Sequence, residues 1–143
     1  MCVRGILPLA VVFLVAADEP AKDAKKELDN LQGEWRMVSM ERRGKKRLDE
    51  DVVQFKLTIS GNRYLLTYAD AAPTAAMLEI APSKGPRAID LRWGDKKVLS
   101  RGIYKREGDT LTLCYAVGDA ERPKDFKTTA EAGVLVVWKR AKK

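Results

Sequence analysis

The strongest constraint on the fold of this chain is a period of two, repeated in short runs and interrupted by turn residues. In Gln54–Ser60, Phe55, Leu57 and Ile59 alternate with Lys56 and Thr58. In Arg63–Tyr68, Tyr64, Leu66 and Tyr68 alternate with Arg63, Leu65 and Thr67. Ile89, Leu91 and Trp93 oppose Asp90 and Arg92, and Leu111, Leu113 and Tyr115 oppose Thr110, Thr112 and Cys114. Successive side chains of a strand point to opposite faces, so each run has one apolar face and one wetter face. This is the pattern of antiparallel sheet buried on one side. Gly61-Asn62 and Gly108-Asp109 join pairs of these runs, and both residue types tolerate the positive φ of tight hairpins. Glu41–Arg47 is a polar turn around Gly44, and Ala81–Arg87 is a connection stiffened by Pro82 and Pro86.

Runs of this kind fall at residues 33–41, 53–60, 63–69, 75–81, 87–93, 98–106, 110–117 and 133–140. A sheet of about eight sequential hairpin strands leaves two exposed edges unless it closes into an up-and-down barrel. The expected fold class is therefore all-β, an antiparallel up-and-down barrel. Eight strands enclose an interior that is either filled by side chains or holds one small ligand. The 143 residues accommodate one such domain.

The N-terminus stands apart from this pattern. Arg4 precedes the apolar run Gly5–Ala17, which ends in Val15-Ala16-Ala17 and turns polar at Asp18-Glu19-Pro20. A basic start, a short apolar stretch and small residues at its end are the layout of a secretory signal peptide. The run is too short to span a bilayer comfortably. The expected organisation is a signal peptide over 1–17, a polar linker over 18–30 with a short helical turn around Lys25–Leu28, and the barrel domain over 31–143. The chain is expected to be exported, periplasmic or extracellular, with no transmembrane anchor after cleavage. Arg4 is the only charged residue in 1–17, so the net charge of +7 becomes +6. Cys2 is also removed. Cys114 is then a lone thiol, unable to form an intramolecular disulfide and expected to be a small packing residue on its strand.

The absent chemistry is informative. There is no histidine, which removes the usual general base, the commonest metal ligand and every Ser-His or Cys-His nucleophile pair. One remaining cysteine makes no zinc or iron–sulfur site. No Ser-x-x-Lys, Gly-x-Ser-x-Gly or phosphate-cradling glycine loop occurs. Asp49-Glu50-Asp51, Glu107 with Asp109, and Asp119 with Glu121 are paired carboxylates in polar turn contexts, read as solvated loops. The chain is accordingly read as a non-enzyme with no catalytic residues, no metal site and no cofactor.

Two features remain as binding candidates. If the interior is open at one end, Met37, Phe55, Leu57, Tyr64, Leu66, Leu113 and Tyr115 line a cavity for a small apolar ligand. The same residues equally build a filled core, and a one-residue slip of register would turn each of them outward. The basic runs Arg42–Arg47 and Lys139–Lys143 are either solvated or contact an anionic cell-envelope component. Neither run has interleaved aromatics for base stacking, and nucleic acid is not expected as a partner.

Several stretches resemble, in order, a conserved domain of unknown function abundant in planctomycete bacteria. They are Leu31–Lys45 (LQGEWRMVSMERRGK), Leu57–Tyr68, Ala81–Leu91, Gly102–Ala116, Glu121–Phe126 (ERPKDF) and Val134–Arg140. That family is similar to lipocalin-like barrels, and Gly33-Glu34-Trp35 matches the Gly-x-Trp that opens the first lipocalin strand. The resemblance implies that Trp35 packs at the closed end of the barrel against a basic residue near the end of the last strand. Arg140 is the best candidate for that residue, with Lys139 second. The helix and tail that follow the barrel in lipocalins are not expected in the residues after Arg140. The expected function is an exported, non-catalytic binding module for a small apolar ligand. The alternative is a filled barrel that engages a cell-envelope component through its surface.

Overall fold

A computed structural model describes residues 19–82, 85–94, 98–117, 120–130 and 132–141. The signal peptide expected over 1–17 lies outside the described residues. Helix α1 spans Glu19–Leu31 and is followed by β1 (Gly33–Arg42), β2 (Lys45–Lys46) and the single-turn helix α2 (Asp49–Val52). Then come β3 (Phe55–Ser60), β4 (Arg63–Tyr68), β5 (Thr74–Ala81) and β6 (Ala88–Trp93). The last strands are β7 (Val98–Glu107), β8 (Thr110–Val117) and β9 (Val134–Arg140).

From β3 onward every strand pairs antiparallel with its successor, β1 pairs with β3, and β9 returns to β1. The fold is a closed all-β barrel of eight antiparallel strands in up-and-down order, with β2 paired to the end of β1 outside it. The topology is consistent with a lipocalin-like fold. Gly61 and Gly108 turn their hairpins at φ of 61° and 59°, in the left-handed region that favours glycine.

The period-two faces point inward as a set. Directly opposed residues share a face, and Trp35↔Leu57, Leu57↔Leu66 and Leu113↔Val136 are opposed pairs. Trp35, Leu57, Leu91, Leu111, Leu113 and Trp138 are all buried in one cluster. Strand β1 breaks the alternation. A register shift between Met37 and Ser39 inserts a bulge, with Val38 half exposed. The inward row of β1 therefore reads Trp35, Met37, Met40, Arg42, opposed on β9 by Arg140, Trp138, Val136 and Val134.

The segment read as a polar linker with a short helical turn around Lys25–Leu28 is helical throughout Glu19–Leu31. Apart from Leu28 and Leu31 it carries no large apolar residue, so nothing in its composition announces a docked face. Those two sit three apart, on one face of a helix, and Leu31 is fully buried while Leu28 packs against the core. The alanine, lysine, glutamate and leucine residues of α1 favour helix, and tertiary contact fixes a segment that at 13 residues would be marginal alone. The carboxylate run Asp49-Glu50-Asp51 forms α2, which carries the fully buried Val52 into the core.

The connection from β8 to β9 lies across the outside of the barrel. Arg122 anchors it: Nη2 is 2.7 Å from Asp90 Oδ1, and Nη1 donates to Gly102 O (2.7 Å) and Ile89 O (3.2 Å). Further on, the Lys105 ammonium lies 4.8 Å from the Phe126 ring centre, Thr128 donates to Glu41, and Gly44 N–H donates to Thr128 at 3.0 Å. This strap covers a second apolar layer. Ile103, Cys114 and Ala116 point away from the main core and are nevertheless buried.

Candidate functional site

The two ends of the barrel differ in how their polar groups are satisfied. The lower end is sealed by α1. Leu31 O, at the helix C-terminus, accepts from Trp35 Nε1 at 3.0 Å. Arg140 Nη2 donates to Asn30 O at 2.8 Å and its Nη1 to Gln32 O at 2.7 Å, while its Nε is 3.3 Å from Asp109 Oδ1. The last carbonyls of a helix lack intrahelical partners and carry partial negative charge, so a guanidinium there meets both needs. The same guanidinium lies 4.2 Å above the Trp35 ring, a cation–π contact. The structure thus brings together the two residues singled out for the barrel floor. Gly33 is held at φ 115°, and a Cβ there would lie 3.3 Å from Arg140 Nη1. Gln32 adds a two-way clasp with Gly61, accepting from its N–H at 2.6 Å and donating to its carbonyl at 2.9 Å. Glu27, nearly buried, reaches Arg87 at 3.2 Å and Arg106 at 3.8 Å.

The seven residues proposed to line a cavity all belong to the inner cluster, and they divide into two groups. Met37, Leu57, Tyr64 and Leu113 are buried. Phe55, Leu66 and Tyr115 are only partly buried and stand against the core from the upper half. Met40 and Trp93 share that condition, and Tyr68 at the upper rim is exposed. Phe55 and Tyr68 stack obliquely with centroids 4.6 Å apart, and Tyr64 meets Trp93 edge-on at 5.7 Å. Trp93 Nε1 donates to the buried Ser100 Oγ at 3.0 Å. Burial pushes the Tyr64 hydroxyl pKa up, with a further push from Tyr115. Tyr115 is also pushed up by burial, opposed by the charge of Arg42. Deeper in the barrel, Tyr104 Oη and Trp138 Nε1 are buried without a hydrogen-bond partner among the described residues.

Beside this mouth the turn after β1 forms a cleft of about 500 Å³, lined by Met40, Arg42, Arg43, Lys45, Lys46, Arg47 and Ala130. Among the described residues, no carboxylate lines it. Among the described residues, none of the five cations takes part in an ion pair. Sequence reading had separated this basic turn from the barrel interior. Simple alternation from Trp35 and Met37 would send Met40 and Arg42 outward, and the bulge at Val38 reverses them. The three-residue spacing of Met37 and Met40 was the available signal.

No group of Cys, Asp or Glu side chains is arranged to hold a metal among the described residues. Glu107 and Asp109 lie near Lys105 and Arg140, respectively. Cys114 is fully buried, its Sγ 3.6 Å from Lys127 O, and burial pushes its thiol pKa up, which disfavours the nucleophilic thiolate. Comparisons with known proteins found no matching family model, curated protein or solved structure.

Proposed function

We propose that this chain is an exported, non-catalytic binding module that takes a small apolar ligand into the upper end of the barrel. The reading includes membership of the planctomycete-type family that the sequence resembles. The observation that carries it is the unequal burial of one continuous inner face. Below, inward side chains are sealed under α1. Above, Phe55, Leu66, Trp93 and Tyr115 point inward yet keep contact with solvent. Partly buried aromatics at the upper end favour burial of an apolar guest, at about 25 cal/mol for each Å² removed from water. A second reading, a filled barrel acting through its outer surface, is favoured by the full burial of Trp35, Trp138 and Tyr104.

The test is titration of residues 18–143 with an environment-sensitive apolar fluorophore, with tryptophan emission followed in parallel. Saturable one-to-one binding, reversed by fatty acids or other lipids, is the expected result. A stably folded protein with no saturable binding would reject the apolar-ligand reading in favour of the filled barrel.

A further inference from the structure

We infer that the ligand is an anionic amphiphile, its apolar part in the barrel mouth and its phosphate or carboxylate headgroup in the basic cleft of the β1–β2 turn. The inference rests on the mouth reading and adds the chemical class of the ligand.

Three contacts make cleft and mouth one surface. Met40 lines the cleft and also packs against the core cluster. Arg47 spans the two: its Nη1 is 3.8 Å from Met40 Sδ, and its guanidinium lies 5.6 Å from the ring centre of Phe55. Arg42 is the uppermost residue of the inward row of β1, opposite Val134, which is itself opposite Tyr115. Its charge is felt at the Tyr115 hydroxyl. An apolar chain lying along Phe55 and Tyr115 would therefore end among Arg42, Arg47, Lys45 and Lys46.

Among the described residues, no carboxylate pairs with the charge at this place. Glu41, the carboxylate preceding Arg42, is engaged by Thr128 under the strap. Asp49, Glu50 and Asp51 lie on α2 and line no part of the cleft. Clustered cations on low-dielectric walls concentrate anions, and guanidinium groups match phosphate and carboxylate oxygens with paired donors. A neutral apolar ligand would use the mouth and leave this charge unanswered. A free anion would use the cleft and leave the mouth aromatics wet. An anionic amphiphile satisfies both.

The experiment compares matched ligands on residues 18–143 at low ionic strength, below their micelle concentrations: dodecyl phosphate, dodecanol and inorganic phosphate. Each displaces the bound fluorophore or is titrated directly by calorimetry. Dodecyl phosphate should bind about tenfold or more tightly than dodecanol, with the advantage shrinking as salt is added. Lys45→Glu with Lys46→Glu, both on the exposed β2, should bring dodecyl phosphate down to the level of dodecanol and leave dodecanol unchanged. Equal affinity for dodecyl phosphate and dodecanol overturns the headgroup site while the mouth reading stands. Inorganic phosphate binding as tightly as dodecyl phosphate also overturns it, and marks a free-anion site. Binding by none of the three removes the mouth reading and this inference together. The matched pair needs no variant, so a misfolded substitution does not leave the question open.

Discussion

Two arginines stand on the inner rows of the barrel at opposite ends, and their surroundings differ. Arg140, at the lower end of β9, donates to Asn30 O and Gln32 O, pairs with Asp109 and covers the ring of Trp35. Arg42, at the upper end of β1, is exposed, lines the cleft and has no ion-pair partner among the described residues. The same residue type is structural where each guanidinium nitrogen has a partner within the chain. Where it has no ion-pair partner among the described residues, the proposed reading assigns it to the ligand surface. Loss of a guanidinium engaged by the chain should weaken folding, and loss of Arg42, on the proposed reading, should weaken binding.

The sharpest way to break this comparison is to remove an aromatic from each end. Trp35→Ala should lower stability by about 3–5 kcal/mol in urea denaturation, because it opens a cavity at a fully buried position and orphans Leu31 O. Phe55→Ala, at a partly buried position, should cost about 1 kcal/mol and reduce fluorophore binding. Equal losses would erase the distinction between floor and mouth.

The arginines come next. Arg140→Gln should cost about 1.5–3 kcal/mol, the range for hydrogen bonds made by a charged group. Arg42→Gln should stay within about 0.5 kcal/mol of the parent, as surface changes usually do. Thermal unfolding of the two variants side by side decides it.

Arg122→Ala probes the strap and should cost about 1 kcal/mol, with both chain ends of the barrel left intact. Its clearer readout is Cys114, which lies under the strap: modification by a thiol reagent under native conditions should accelerate several-fold. An unchanged rate would mean that the thiol is protected by the sheet and not by the strap.

The smallest effect is electrostatic. Tyr64, Tyr104 and Tyr115 all have pKa values raised by burial. A raised folded-state pKa gives stability that is complete below the unfolded value, about pH 10, and is lost as pH rises through the folded value. Stability should therefore fall only in the alkaline range. Because Arg42 holds Tyr115 down against burial, Arg42→Gln should move one tyrosine further up in an ultraviolet phenolate titration and leave Tyr104 where it was. Movement of Tyr104 would show that the two ends are electrically coupled.

The barrel itself was legible because alternation and turn residues are local. Phe55-Leu57-Ile59 and Leu111-Leu113-Tyr115 state their face without reference to the rest of the chain. The pair Trp35 and Arg140 was reachable only through resemblance, since nothing local links positions at opposite ends of the sequence. Helix α1 was not legible: Lys22–Lys26 looks like solvated linker, and the helix is held by Leu28, Leu31 and the caps supplied by Trp35 and Arg140. The cleft was missed for a different reason. One inserted residue at Val38 changes which way Met40 and Arg42 face, and a bulge is a tertiary adjustment that period counting smooths over.

The β1–β9 ladder carries a kinetic consequence. Its partners come from the two extremes of the domain, and Arg140 bonds to a carbonyl 108 residues away along the chain. Such a seam cannot zip until the intervening strands have been ordered, and the loop entropy of that closure makes folding slow compared with a helical protein of this size. Until it closes, β1 and β9 are bare edges able to pair with another copy. Refolding yield should therefore fall as protein concentration rises, and the indole of Trp35, shielded only once Arg140 and α1 arrive, is a built-in reporter of the moment the seam shuts.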